Sequence, residues 1–202
     1  MPKCLEYRYK IMFENMAQGA FFQQADGSLS DVNPAALELL GLTRDEYLER
    51  TSYDKEWRVI DANGSPLPPE KHPSMVAMQS GKPVYNSVVG VFNYKKNRYV
   101  WLNVNAIPLF SKGKTPEQVF VTFDDISEQK RIEQQIINSQ QQLRFLADQV
   151  PVLIAHIDKH RHYKFVNMPY AEFLGFHPAD IVGKHTREII GEERYDEVTP
   201  YI

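Results

Sequence analysis

The sequence predicts an α+β chain: a five-stranded antiparallel sheet with helices on one face, then a long connector helix and part of a second, similar domain. Three observations carry this. The segment Asn33-Pro34-Ala35-Ala36-Leu37-Glu38-Leu39-Leu40-Gly41 recurs 134 residues later as Asn167-Met168-Pro169-Tyr170-Ala171-Glu172-Phe173-Leu174-Gly175. Asn, Glu, Leu and Gly fall in register, and short apolar stretches precede both copies. Around the first copy the pattern runs strand, strand, several short helices, then three strands, the order of an antiparallel sheet with helices laid across it. After Asp125 the pattern changes to one polar helix with a narrow apolar seam. The second copy reaches Ile202 at the equivalent of position 68 of the first, ahead of counterparts for the last three strands. The reading is a whole domain over residues 7–126, a helical coiled-coil connector over 127–146, and the N-terminal part of a second domain over 147–202.

Bulk properties narrow the function classes. Of 202 residues, 43% are hydrophobic, enough for a real core, and the net charge is -3. Charges of both signs are mixed along the chain, which argues against a general nucleic-acid surface. Cys4 is the one cysteine, so an intramolecular disulfide and a Cys-rich metal site are excluded. In the N-terminal tail it reads as a surface residue. No stretch approaches the length of a membrane span, and the start lacks the apolar core of a signal peptide. A cytoplasmic segment without membrane contact of its own is expected.

In chain order, residues 7–18 suit a short amphipathic helix with Ile11, Met12, Met16 and Ala17 apolar, ended by Gly19. Residues 20–24 read as a strand, Asp26-Gly27 as a hairpin turn and residues 29–32 as the returning strand. Asn33 followed by Pro34 starts a helix: the Asn side chain caps free amides, and Pro fits the first helical position. Gly41 stops it. Thr43 and Glu46 form a capping box for the next helix. Asp61-Ala62-Asn63-Gly64 is a turn, and Pro66, Pro68 and Pro69 stiffen the loop that follows. Residues 73–79 make a helix closed by Ser80-Gly81.

Three strands follow, over residues 84–94, 98–110 and 118–123. In the middle one, Tyr99, Trp101, Asn103, Asn105 and Ile107 share one parity and Val100, Leu102, Val104 and Ala106 the other, so the first face is mixed. Residues 127–147 are a continuous helix, with Ser127 suited to cap it. Ile132, Ile136, Ser139, Leu143 and Leu146 alternate spacings of four and three, a weak coiled-coil seam. Packing on its own domain and pairing in a parallel homodimer both fit this seam. The dimer is favoured because the other sides of the helix are thin in apolar residues.

These features resemble the PAS family of sensory domains, fully over residues 7–126 and partially over 143–202. The Asn-x-Ala-x-x-x-Leu-x-Gly signature stands here as Asn33 to Gly41. Asp125-Ile126-Ser127-Glu128-Gln129-Lys130 resembles the family's domain-ending Asp-Ile-Thr/Ser-Glu-x-Lys motif. Gly81-Lys82-Pro83-Val84 and Trp101 also fit. The resemblance implies an input module of a larger signalling protein, of the histidine kinase, cyclic-dinucleotide enzyme or transcription-regulator type, with its output domain elsewhere. It implies that Asp125, Ile126 and Glu128 transmit sheet movement, Asp125 by contacting the sheet backbone or a basic group. A plain helix cap and turn lock is the alternative for the same residues.

The chemistry expected is binding. A ligand pocket between the helices and the inner sheet face would be lined by Phe22, Trp57, Met75, Met78, Asn103 and Phe120, with Trp57 and the methionines apolar and Asn103 orienting a polar group. Core packing is the competing role for each. The cofactor is not identified by the sequence. His72 sits roughly where some haem-binding members of the family present an iron ligand, and a surface or helix-capping His is the alternative. Light-sensing flavin chemistry needs a cysteine near residues 50–60, and none is there, which leaves noncovalent flavin. No metal site is expected: His160 and His162 alternate beside Arg161 as hairpin surface, with no Cys or nearby carboxylate to complete a tetrahedral set. Asp54, Glu56, Ser74 and Ser80 have no activating arrangement, so no catalysis is expected. Two functions remain: a ligand-binding sensory and relay module with Ile132, Ile136 and Leu143 in its dimer seam, or a ligand-free interaction and dimerisation domain.

Overall fold

The computed structural model describes residues 2–54, 56–111 and 113–198, in two units, Met1–Arg131 and Ile132–Ile202. The Cys4 side chain and residues 199–202 lie outside what is described. The first unit opens with helix α1 (Pro2–Glu14), where Tyr9 stacks on Phe13 at 5.6 Å and Phe13 packs against Phe22 at 5.9 Å. The helix starts earlier and ends sooner than residues 7–18, because the Asn15 side chain bonds back to the Ile11 carbonyl (2.9 Å) and closes the last turn. Gly19 is therefore not a helix stop. It begins strand β1 (Gly19–Gln24), where a Cβ would run into the Phe123 ring.

Strand β2 (Leu29–Val32) returns antiparallel to β1 through the expected turn at Asp26-Gly27. Helix α2 (Pro34–Leu40) starts where Asn33 and Pro34 predict. Asn33 does more than cap it. Its Oδ1 accepts from Ala36 N and from Ala20 N of β1 (both 2.9 Å), while its Nδ2 donates to the Gln18 carbonyl (2.8 Å). Gly41 closes α2 at φ 72°, and a Cβ there would strike Asn93, whose Nδ2 donates to the Leu39 carbonyl (2.9 Å) at the helix end. Helix α3 (Arg44–Leu48) carries the Thr43–Glu46 capping box and buries Tyr47.

The sheet has six strands, not five, in the order β2-β1-β6-β5-β4-β3, all neighbours antiparallel. The extra strand is β3 (Val59–Ile60), two residues long, paired with β4 (Val84–Asn93). Two residues carry no readable period, and the sequence signal there belongs to the turn after them, with Asp61 Oδ1 accepting from Asn63 N and Ser65 N. A single 3₁₀ turn (Pro69–Lys71) leads into helix α4 (Pro73–Ser80). Strands β5 (Arg98–Leu109) and β6 (Gln118–Asp125) complete the sheet, and β6 runs into helix α5 (Ser127–Gln149).

The core lies between the sheet and helices α2 to α4. Val100, Leu102, Val104 and Ala106 of β5 and Val119, Val121 and Phe123 of β6 supply its floor, with Ala36, Leu40, Ala77 and Met78 above. Helices do not keep to one face: α1 lies on the other, where Phe13 meets the Phe22–Phe120 pair.

The second unit repeats the opening of the first. Strands β7 (Ala155–Ile157) and β8 (Tyr163–Val166) pair antiparallel, followed by α6 (Met168–Leu174), α7 (Pro178–Ile181), α8 (Thr186–Ile190) and α9 (Glu192–Val198). Tyr163, Val166, Ala171, Ile181 and Ile189 form a small core. Asn167 reproduces Asn33 bond for bond: Oδ1 accepts from Ile154 N (2.9 Å) and Tyr170 N (3.2 Å), and Nδ2 donates to the Val152 carbonyl (2.7 Å).

Asn33→Ala should destabilise the first unit by about 2–4 kcal/mol, since it removes a helix cap and leaves a buried strand amide without a partner. Urea denaturation measures this. A loss below about 0.5 kcal/mol, the ordinary scatter of surface substitutions, would mean that water replaces the side chain.

Candidate functional site

A cavity of about 90 Å³ lies in the first unit between the inner sheet face and the helices. Its floor is apolar: Val89, Val91, Leu102, Val104, Val121 and Phe123. Its roof and rim bring Tyr47, Ser52, Trp57, His72 and Ser74. Trp57 is positioned by its own Nε1–H, which donates to the Thr51 carbonyl (3.0 Å), and by the Arg50 guanidinium 5.2 Å from its ring. Arg50 is in turn paired with Glu56 at 2.8 Å.

The polar atoms around the cavity are mostly committed to the chain itself. Ser52 Oγ donates to Gln23 Oε1 (2.7 Å), and the fully buried Gln23 directs its Nε2 at Met75 Sδ (3.0 Å). His72 Nε2 lies 3.3 Å from the Leu67 carbonyl. Burial pushes His72 below its ordinary value, so the ring is neutral at pH 7. With Nε2 as donor to a carbonyl, Nδ1 is left as the acceptor. Tyr47 differs: it is fully buried, and its hydroxyl has no partner. Burial pushes its phenol well above the ordinary value and keeps it protonated.

Of the six residues expected to line a pocket, Trp57 borders this cavity. Met75 and Met78 are buried on α4 but do not reach it; Met78 joins the core and Met75 receives the Gln23 amide. Phe22, Asn103 and Phe120 lie on the opposite face of the sheet. Phe22 and Phe120 are direct cross-strand partners with rings 4.8 Å apart, and Asn103 Nδ2 reaches Asn86 at 3.4 Å. The reason is parity: a shift of one residue exchanges the faces, and the inward neighbours are Phe21, Leu102 and Val121. The signal is legible. The inward parity is apolar from Val100 to Pro108 in β5 and from Val119 to Phe123 in β6, while Asn103 and Phe120 share theirs with Asn105, Thr122 and Asp124. Tyr47, Ser52 and Ser74 carry no such signal.

At about 90 Å³ the cavity is smaller than the roughly 300 to 1,000 Å³ of sites for molecules of drug size. Among the described residues no group of three or more His, Cys, Asp and Glu could hold a metal ion. His162 does have a carboxylate nearby, Asp158 at 3.8 Å, contrary to the sequence reading. That carboxylate is engaged by the His162 amide and by Lys164 (3.1 Å), which hold its pKa well below the usual carboxylate range.

A second arrangement joins the sheet to α5. Ile126 N donates to the Trp101 carbonyl (2.8 Å), and Trp101 N donates back to Ser127 Oγ (2.9 Å). Ser127 therefore fastens the helix to β5 rather than capping its own helix. Asp125 accepts from Ser127 N (2.8 Å), a helix-side amide, while its backbone pairs with Leu102. Lys130 Nζ stands 5.8 Å from the Trp101 ring. Glu128 turns away and binds Arg131 through both oxygens (2.6 and 2.7 Å). Beyond the junction no residue of α5 is buried: Ile132, Ile136 and Leu143 are 46%, 53% and 65% exposed. Among the described residues no helix is long and apolar enough to cross a membrane.

Comparison with known proteins agrees with this geometry. Models of the PAS fold match residues 7–126 and 147–202. No curated protein matches significantly. Among solved structures, an RNA-binding Light-Oxygen-Voltage receptor is similar at 16% identity and a TM-score of 0.55, over 72% of this chain and 39% of that one. A domain of a sensory box sensor histidine kinase/response regulator from Geobacter sulfurreducens is 22% identical over 62% of this chain and 97% of its own, with a TM-score of 0.46. The PAS domain of nitrogen regulation protein NR(II) from Vibrio parahaemolyticus is 16% identical over 58% and 97%, at 0.44. These likenesses concern the fold. With a six-stranded antiparallel sheet, the repeated asparagine clamp and a family match over more than half its length, the chain belongs to the PAS family.

Proposed function

We propose that the chain is a sensory and signal-relay segment of a larger signalling protein, of the histidine kinase or cyclic-dinucleotide enzyme type. The first domain takes a small molecule, and its occupancy biases α5, on which two copies pair. One observation supports this above the others: the strands that floor the cavity are the strands that grip the helix. Leu102 borders the cavity and is the ladder partner of Asp125; its neighbour Trp101 holds Ile126 and Ser127. A displacement of β5 or β6 by a ligand therefore acts on the first turn of α5 within one residue. The effect is a shift between arrangements, without chemistry at the site. A relay needs an output, and the proposed setting is cytoplasmic, with neither nucleic acid nor membrane touched by this segment.

The second reading is a ligand-free interaction and dimerisation domain. The small cavity favours it, as does the exposed seam of α5. Native mass spectrometry of protein purified without added ligand, with an absorption spectrum, separates the two. A stoichiometric extra mass lost on denaturation supports the sensor, and its absence at saturating concentrations of candidate small molecules supports the second reading.

Two variants test the relay. Ile136→Glu sets like charges into the seam of a parallel pair and should weaken dimerisation at least about 10-fold, roughly 1.4 kcal/mol, measured by analytical ultracentrifugation. An unchanged dimer removes the seam from the proposal. Ser127→Ala removes the acceptor of the Trp101 amide, a bond of about 1 kcal/mol. The hydrogen-exchange rate of that amide should rise about 5-fold, and an unchanged rate would mean that the hydroxyl does not fasten helix to sheet.

A further inference from the structure

A second hollow lies on the surface of the first unit, an open groove of about 600 Å³ at the end of α2, bordered also by α3, the segment before β3 and the turn from β4 to β5. That volume falls within the range of small-molecule sites, about 300 to 1,000 Å³. Its chemistry is the reverse of the cavity's. Arg50, Arg58 and Lys95 border it together with Glu46, Glu56 and Tyr94. The Tyr94 hydroxyl donates to the Glu56 carbonyl (3.1 Å), which ties the turn to the segment before β3.

The five charged groups are not equally engaged. Glu46 Oε2 accepts from Thr43 N (2.7 Å) and Thr43 Oγ1 (2.9 Å) in the capping box. Those bonds, with Lys95 and Arg50 adding to them, hold its carboxyl below the ordinary value and keep it ionised at pH 7. Glu56 is the ion-pair partner of Arg50 (2.8 Å). Arg58 and Lys95 have no ion pair among the described residues. The Arg58 guanidinium lies 5.3 Å from the Phe92 ring and 5.6 Å from the Tyr94 ring. Aromatic rings hold a guanidinium without neutralising it, and its N–H groups stay available to an oxyanion.

Arg50 links the groove to the inner cavity. Its guanidinium stands 5.2 Å from the ring of Trp57, which borders that cavity. The Arg50 side chain is 13% exposed, while that of Glu56 is 69% exposed. A guanidinium so covered needs an anion, and the exposed carboxylate is the half of the pair that another anion can replace. With Glu56 displaced, three cations stand against one carboxylate, an excess of two positive charges. A phosphate monoester carries a charge of about −2 near neutral pH and three acceptor oxygens. We propose that the groove binds a small phosphate monoester through Arg58 and Lys95, and that the phosphate displaces Glu56 from Arg50. Leu42 and Tyr94 give its organic part apolar contact. Because Arg50 also lies on Trp57, groove occupancy acts on the rim of the cavity, and the two sites are coupled reciprocally. Binding in the groove stands whether or not the cavity takes a ligand.

Phenyl phosphate tests this, titrated at pH 7.5 and constant ionic strength into the full chain labelled with nitrogen-15. The Trp57 indole N–H signal is followed, with that of Trp101, the other tryptophan, as reference. Binding should saturate below about 20 mM and shift the Trp57 signal but not the Trp101 signal. Arg58→Gln should weaken it at least about 10-fold, and Glu56→Gln, which removes the competing carboxylate, should tighten it about 3- to 10-fold. Lys96→Gln makes the same charge change as Arg58→Gln on the same turn but outside the groove, and should alter binding less than about 2-fold. All three positions are exposed, and the amide spectra report that the variants are folded. No saturable shift, an equal loss in Lys96→Gln and Arg58→Gln, or an equal response to phenol, which lacks the phosphate, would overturn the site. Binding that depends on Arg58 but leaves the Trp57 signal in place, or is not tightened by Glu56→Gln, would overturn the displacement of Glu56. None of these outcomes touches the sensor reading of the cavity, which the mass measurement decides.

Discussion

The fold depends on one buried asparagine, used twice. Asn33 joins three pieces of chain: the segment entering β1, the first amide of that strand's interior and the first turn of α2. The task needs an acceptor and donors on one short side chain. Aspartate would lose the donors and bury a charge; serine would not reach both backbones. Asn167 makes the same bonds to Ile154, Val152 and Tyr170, so the repeat seen in the sequence is a repeat of this clamp. The direction of α2 follows from it. Gly41 then ends α2 against Asn93, and the Arg44 guanidinium donates to the Val32 carbonyl (2.8 Å), which positions α3 and with it Tyr47 above the sheet.

From that clamp the two faces of the sheet take different roles. The inner face is apolar apart from the buried Gln23 and Asn93, and leaves a small space under α3 and α4. The outer face is mixed and serves as an attachment surface: α1 sits on Phe22, and α5 leaves from Trp101. Gln18 Nε2 donates to Asp124 Oδ2 (2.7 Å), while the Gln18 carbonyl is held by Asn33. The chain entering the domain and the strand leaving it are therefore bonded to each other beside the clamp. A change in the spacing of β1 and β6 strains both ends at once.

Much of this is legible in the order of the amino acids. The helix starts at Asn33 and Thr43, the stop at Gly41, the turn at Asp26-Gly27 and the long α5 all rest on local rules in which one or two side chains satisfy nearby backbone groups, and local rules can be read from neighbours. The failures share a different cause. Gly19 reads as a helix stop, yet its role is set by Phe123, more than a hundred residues away. Strand β3 is too short to show a period and exists because β4 offers it an edge. Residue type alone puts Phe22, Asn103 and Phe120 in the pocket, whereas parity points them outward. Tyr47 has no sequence signal, because an unpartnered hydroxyl is a property of the packed core alone.

The size of the cavity limits how the relay can work. Even the best small ligands bind with at most about 1.5 kcal/mol per non-hydrogen atom, so a molecule of five atoms has a ceiling near 7 kcal/mol. Moving an equilibrium from 1:99 to 99:1 takes about 5.5 kcal/mol of difference between the two states. A ligand this small would have to place most of its binding free energy in that difference. Under the proposed relay, the junction between sheet and α5 would then lie close to balance without ligand. Its construction is consistent with this: the Ile126 and Ser127 hydrogen bonds to the Trp101 backbone, one Asp125 turn and one half-buried lysine over an indole are each interactions of about 1 kcal/mol. The proposed relay requires a helix held at its start by a few bonds of that size, and α5 is so held, with residues 131–146 exposed. A helix packed into the core would not meet that requirement.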